Sequence, residues 1–220
     1  MPLTTGTRLG RWVPRMANIH TDTIGLTTLI LLFGSWVVFA LIFFLRKRPP
    51  KVEEAKRSSA AKLGIVLQGV GFGLVWTFRR SQWWPSATSV GGELTLAAVA
   101  VALAWVSIGG CLLSVQTLGK QWTVQARLIK GHELIMDGPY GIVRNPIYLG
   151  MFGLMVATGL TLSQWWALLS AVVVFLVGNR IRIRAEESLL REAFGSQFED
   201  YVRRVPPFLP RILRRKTAWK

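Results

Sequence analysis

Ile24–Leu45 reads IGLTTLILLFGSWVVFALIFFL, 22 residues without one charged side chain. A helix of roughly 20 apolar residues, rising about 1.5 Å per residue, crosses the hydrocarbon of a bilayer. The run is too long for the core of a typical signal peptide, and Arg46-Lys47-Arg48-Pro49-Pro50 follows it instead of a small-residue cleavage site. It reads as a retained membrane span, and the rest of the chain has to be placed around it.

Three more apolar regions follow. Ala60–Phe78 contains Gly64, Gly69, Gly71 and Gly73, and small residues let helix backbones approach closely in lipid. Leu94–Leu118 carries Gly109, Gly110 and Cys111. Ile147–Gly178 is too long for one ordinary span and short for two. Its middle, Thr158-Gly159-Leu160-Thr161-Leu162-Ser163-Gln164 before Trp165-Trp166, reads as a turn flanked by interfacial aromatics. A hairpin of two short helices fits it better than one long helix.

Composition agrees. The chain has 220 residues, 51% of them hydrophobic and only 17% charged, with a mean hydropathy of +0.37. A soluble domain of this size would carry more charge. The net charge of +16 could signal nucleic acid. The basic residues, however, lie between and after the apolar runs, as in cytoplasmic loops that face anionic lipid. Nucleic acid is therefore not expected as a partner; membrane lipids are. Cys111 is the sole cysteine and sits in an apolar run, so it reads as a small packed residue. His20 and His132 are far apart in sequence, so no metal motif is expected.

Charge orients the spans. Arg46, Lys47, Arg48, Lys51, Lys56 and Arg57 fill the first loop, and Lys120, Arg127, Lys130 and Arg144 the third. The tail beyond Gly178 is rich in Arg, whereas the second loop holds Arg79 and Arg80 and the hairpin turn no charge. Five spans with the N-terminus outside put all three basic segments in the cytoplasm. Only the N-terminal arm, with Arg8, Arg11 and Arg15, dissents. The expected fold is an all-α integral membrane bundle of about five helices, ending in a helical hairpin and an amphipathic cytoplasmic tail helix. The expected divisions are an arm (1–23), three transmembrane helices (24–116) and a C-terminal core (117–220). With no targeting signal read, a bacterial cytoplasmic membrane is the expected location.

The tail Glu186–Val205, EESLLREAFGSQFEDYVRRV, places Leu189, Leu190, Ala193, Phe194, Phe198, Tyr201, Val202 and Val205 at helical spacing. Gly195 is the expected place of a bend, and Pro206, Pro207 and Pro210 end the helix. Such a helix can rest on the interface with its Arg residues among headgroups, which suits Arg203 and Arg204. It explains less about Arg182 and Glu186, four apart on one face directly after an apolar span. Ionisable groups there mark a site when they face the bundle.

Gly131–Gly150, GHELIMDGPYGIVRNPIYLG, is the most informative loop. Asp137-Gly138-Pro139 signals a turn. Pro146 favours an extended Asn145 and lets a helix begin behind it. Backbone donors at that start could hold an anionic group.

The order of these pieces carries a resemblance. Leu118-Gly119 and Trp122 precede Gly131-His132-Glu133-Leu134, then Gly138-Pro139-Tyr140, then Val143-Arg144-Asn145-Pro146-Ile147-Tyr148-Leu149-Gly150. Arg182, Glu186-Glu187, Leu190, Phe194-Gly195, Tyr201, Val205-Pro206 and Phe208-Leu209-Pro210 complete it. Over roughly Leu118–Pro210 the chain resembles the isoprenylcysteine carboxyl methyltransferase family and its bacterial relatives. The first two spans show nothing as specific.

The resemblance implies an S-adenosylmethionine-dependent membrane methyltransferase, with a lipid-like or prenylated acceptor. It assigns the cofactor pocket to His132, Gly138, Pro139, Tyr140, Val143, Arg144, Asn145, Pro146, Tyr148, Glu186 and Glu187, with Arg182 and Glu186 at the chemistry. Many family members have His where this chain has Asn145, so a hydrogen bond can survive there but a proton carrier cannot. Glu186 or Glu187 could accept from the cofactor's ammonium, and Arg182 or Arg144 could fork onto a carboxylate. Tyr140, Tyr148 or Phe208 could flank the adenine.

A carboxylate acceptor, already ionised at neutral pH, needs no base, only in-line positioning in a site that excludes water. A phospholipid amine would need a base, for which a Glu is the evident candidate. Two further alternatives are an NADPH-dependent enzyme like the membrane sterol reductases, for which no glycine-rich fingerprint is present, and a basic membrane scaffold.

Overall fold

The computed structural model describes residues 19–45, 54–57, 60–80, 90–119, 127–129 and 133–210. Five helices carry the fold: α1 (Ile19–Phe44), α2 (Ala60–Thr77), α3 (Val90–Leu118), α4 (Pro146–Leu162) and α5 (Trp165–Arg204). By length and composition α1, α3 and α5 can cross a membrane, and α2 and α4 are shorter apolar helices. Leu26, Ile30, Val37, Val66, Val106, Leu169 and Val173 point outward. Such a surface is unfavourable in water and suits hydrocarbon. The chain is an integral membrane helical bundle, as its hydropathy requires.

A short antiparallel ribbon adds to the helices: β1 (Glu54–Arg57) pairs with β2 (Arg127–Ile129), with Arg57 opposite Arg127. It ties the first loop to the third, so both lie at one end of the bundle. The tail joins them there, since Arg144 N–H donates to Pro206 O at 2.8 Å. At the other end Gln164 N–H donates to Phe78 O at 2.9 Å and Arg80 N–H to Leu162 O at 3.0 Å. The described parts of the first and third loops and of the tail thus share one end.

The hairpin has unequal arms. α4 stops at Leu162, and α5 runs on past Gly178 to Arg204. The amphipathic tail is therefore a continuation of the last span. The bend falls at Gly195 (φ 50°, ψ −122°), a conformation that L side chains rarely adopt.

Small residues set the helix spacing. A Cβ on Gly150 would lie 2.4 Å from Cys111 Sγ and 2.7 Å from Ser107 O, so α4 presses this glycine against α3. Cys111 is fully buried there, a packing residue. The α2–α5 crossing is equally close: a Cβ on Gly64 would lie 2.7 Å from Gly178 O, and one on Gly178 2.8 Å from Gly64 O. Trp36 of α1 makes edge contacts with Phe72 and Trp76 of α2, and Trp36 Nε1 donates to Thr158 Oγ1 at 3.0 Å.

Candidate active site

Three pieces meet at the basic end: the turn at Gly138–Gly141, the start of α4, and the stretch of α5 from Arg182 to Glu187. The turn is a single 3₁₀ turn in which Tyr140 N–H donates to Asp137 O and Val143 N–H to Pro139 O, both at 3.1 Å. Gly138 opens it with φ +56°. Pro146 occupies the first turn of α4 behind Asn145, as the Asn-Pro pair implies. Asn145 makes no side-chain cap to the helix; its Nδ2 donates across to Pro207 O at 2.8 Å.

Arg182 is the hub. Its side chain is 7% exposed, and its Nη2 stands 3.6 Å from Glu186 Oε1, one turn on. Its guanidinium lies over the Tyr148 ring, 4.5 Å from the centroid. The Tyr148 hydroxyl donates to the same oxygen of Glu186. Its Nη1 donates to Gln68 Oε1 of α2 at 2.9 Å. Within this cluster Glu186 is the more open group, at 26% against 7% for Arg182, so it is the acceptor that an incoming ligand can reach.

Arg144 and Glu187 form a second arrangement. Nε and Nη2 of Arg144 both donate to Glu187 Oε1, at 2.9 and 2.7 Å. Nη1 donates to the Val202 carbonyl at 3.2 Å and to that of Val205. The Tyr201 hydroxyl donates to Tyr140 O at 2.7 Å. Phe198, Tyr201 and Val205 pack with Leu134 and Met136 beneath these bonds, and Phe208 meets Phe152 of α4 at 5.7 Å between centroids. These contacts fasten the tail over the turn. Burial, and next the Glu186 carboxylate, push the Tyr140 hydroxyl well above the usual phenol range.

Of the residues expected at the site, Gly138, Pro139, Tyr140, Val143, Arg144, Asn145, Pro146, Tyr148, Arg182, Glu186 and Glu187 gather at this one end, whereas His132 lies outside the described residues. Arg144, one of the two arginines offered for a ligand carboxylate, forks onto Glu187 and also donates to the tail. Gln68 was not anticipated. Its signal was a lone amide inside an otherwise apolar, glycine-rich span, where a polar side chain needs a partner.

No group of three or more His, Cys, Asp or Glu able to hold a metal ion occurs among the described residues.

Residues 95–197 match the family model described as phospholipid methyltransferase. The nickel-cobalt-cadmium resistance protein NccN of Alcaligenes xylosoxydans xylosoxydans is 34% identical over 116 residues, 51% of this chain and 53% of that protein. The protein-S-isoprenylcysteine O-methyltransferase of Schizosaccharomyces pombe is 34% identical over 89 residues, 40% of this chain and 38% of the enzyme. The chain thus spans about half the length of the curated relatives it matches, or less. Among solved structures, that of the eukaryotic intramembrane Ras methyltransferase ICMT (isoprenylcysteine carboxyl methyltransferase) superposes with a TM-score of 0.50 at 20% identity. It covers 90% of this chain and 70% of that one. In its fold, and in the sequence of its second half, this chain is similar to the isoprenylcysteine carboxyl methyltransferases.

Proposed function

We propose that the chain transfers a methyl group from S-adenosylmethionine to a lipid-like acceptor in the membrane, and that the acceptor atom is a carboxylate oxygen, as in isoprenylcysteine carboxyl methylation. The observation that carries this reading is the Tyr148–Glu186–Arg182 cluster, built at the same end of the bundle as the 3₁₀ turn. The similarity to protein-S-isoprenylcysteine O-methyltransferases supports it.

The acid of the cluster suits the cofactor's cationic end. Glu186 is the reachable acceptor for the ammonium, and Arg182 beside it is the cation for the acceptor's carboxylate. Gly138, Pro139 and Tyr140 supply a tight turn, and Val143, Pro146 and Tyr148 an apolar and aromatic wall. Arg144, Asn145 and Glu187 serve the pocket by holding the tail against it. His132, from the same loop, is proposed as a further contact. When bound, S-adenosylmethionine supplies an electrophilic methyl on a sulfonium.

The protein's share is positioning and the exclusion of water. Arg182 attracts and aligns the acceptor carboxylate, and Glu186, fixed by the Tyr148 hydroxyl, keeps the cationic end of the donor in place. An ionised carboxylate needs no base. In the proposed orientation the basic end faces the cytoplasm of a bacterial cell, with the N-terminus outside, which puts the site among inner-leaflet headgroups.

The test uses full-length protein in nanodiscs with methyl-labelled S-adenosylmethionine. One arm offers S-farnesyl-N-acetylcysteine and the other phosphatidylethanolamine. A methyl ester releases its label as methanol in alkali, whereas an N-methyl amine keeps it. Alkali-labile label on the prenylated cysteine is expected. Stable label on the phospholipid transfers the reading to lipid amines, and no label in either arm removes it.

A further inference from the structure

Arg182 is held from a direction that the site's own loop does not supply. Gln68, 2% exposed, reaches from the middle of α2 and accepts from Arg182 Nη1 at 2.9 Å. Its other amide atom, Nε2, donates to Asn179 Oδ1 of α5 at 3.4 Å, and Asn179 is also 2% exposed. Gly64, one turn before Gln68, makes room for this: a Cβ there would lie 2.4 Å from Arg182 Cγ. Buried amides that join two membrane helices commonly act as glue, and Gln68–Asn179 would suffice for that purpose. The bond from Arg182 is an addition to the glue, and its chemistry is specific.

A guanidinium has only donors. The amide must therefore turn its oxygen to Arg182, and Asn179 secures that choice by accepting from the NH₂ side. Gln68 is a neutral acceptor, so it fixes the guanidinium without cancelling its charge. Together with the Tyr148 ring beneath and Glu186 beside it, the cation is gripped on three sides.

We infer that Gln68 is a positioning residue for the proposed methyl transfer: through its amide, oriented by Asn179, it aims the Arg182 guanidinium at the acceptor. This rests on the methyltransferase reading of the site. The aim matters because a reacting atom displaced by an ångström loses much of the advantage of proximity.

The test compares wild type with Gln68→Met, which keeps volume and removes both hydrogen bonds, and Gln68→Glu, which keeps an acceptor oxygen but sets a carboxylate against the guanidinium. Each is assayed in nanodiscs for transfer to S-farnesyl-N-acetylcysteine and titrated with S-adenosylhomocysteine by calorimetry. For Gln68→Met the expected loss in kcat is about ten-fold, the worth of one hydrogen bond to a charged group. Product affinity should stay within about two-fold of wild type, because Glu186 is untouched, and Gln68→Glu should lose rate as well, because its charge competes with the acceptor for Arg182. If Gln68→Met does not fold, Asn179→Leu replaces it: Gln68 stays in place with its amide free to turn, and kcat should fall in the same direction by a smaller factor. A folded Gln68→Met with wild-type kcat overturns the inference and leaves the methyltransferase reading standing. So does a wild-type kcat in a folded Gln68→Glu. A wild-type protein that methylates neither a prenylated cysteine nor a lipid amine removes that reading, and this inference with it.

Discussion

Tyr148 in the first turn of α4 donates its hydroxyl to Glu186 on α5, which lies 38 positions later in the chain. The same ring supports the Arg182 guanidinium, so one side chain touches both ions of the proposed site. Tyr148→Phe separates the two roles. The ring remains and the donor goes. Glu186 then keeps Arg182 but loses a charge-assisted bond worth about 1.5–3 kcal/mol. Transfer is expected to slow by ten-fold or more, with weaker S-adenosylhomocysteine binding and a melting temperature lowered by several degrees. Unchanged product affinity would show that this bond does not shape the cofactor site.

The close α2–α5 crossing couples packing to the cluster. Gly64→Ala drives a methyl into Arg182 Cγ and the Gly178 carbonyl, whereas a Cβ on Gly69 meets nothing within 4 Å. Gly64→Ala should therefore destabilise by about 1–3 kcal/mol, as overpacking does, and lower transfer as well, since Arg182 must move. Gly69→Ala should be neutral or stabilise by up to about 1 kcal/mol through helix propensity. Thermal unfolding in detergent, alongside turnover, compares the two. Equal effects would mean that the crossing is looser than its geometry indicates.

The tail is fastened by Arg144. Its side chain is 8% exposed, that of Glu187 14%, and it also donates to the Val202 carbonyl. Removing one partner of a buried pair leaves the other uncompensated, at a cost of about 3–5 kcal/mol. Glu187→Ala should thus loosen the tail from the 3₁₀ turn. Hydrogen exchange should rise over residues 198–207 and remain low in α3. Protection of the tail at wild-type level in Glu187→Ala would show that apolar packing of Phe198 and Tyr201 suffices.

Alkaline pH offers a further check. The Tyr140 hydroxyl is raised by burial and by Glu186, so the folded state favours the neutral phenol. Below about pH 10 the phenol is neutral in both states and its contribution is constant. Above that, the unfolded chain releases a proton that the folded chain keeps, and stability falls as pH rises, by up to about 1.4 kcal/mol per pH unit. Tyr140→Phe should flatten that alkaline slope while leaving the Tyr201 bond, which uses the Tyr140 carbonyl. An identical slope in the variant would mean that the hydroxyl ionises freely in the folded protein.

Much of the arrangement could be read before any fold was known. Hydropathy located all five helices because an apolar run in lipid must satisfy its own backbone, which leaves one local solution. Asn145-Pro146 marked the start of α4, and Gly195 the bend in α5, because proline and glycine restrict or free the backbone at their own positions. The clustering of basic loops at one end followed from their spacing between spans. The motifs around Gly138–Tyr148 and Arg182–Glu187 were singled out by the family resemblance, and Tyr148 and Glu186 do meet at that end.

Pairings between distant side chains were a different matter. Arg144 and Arg182 looked interchangeable as carboxylate binders, yet one forks onto Glu187 and the tail while the other faces Tyr148 and Glu186. Nothing in the spacing separated Glu186 from Glu187, which differ by about 100° around one helix and so meet different neighbours. Gln68 lay outside every recognised motif, and only the glycine-lined approach of α2 to α5 brought it to Arg182. The sequence alone determined which segments are helices and which end of the bundle carries the charge, because those depend on local backbone chemistry and on solvent. Tertiary structure alone decided which ion meets which partner, because that depends on the rotation and distance of packed helices.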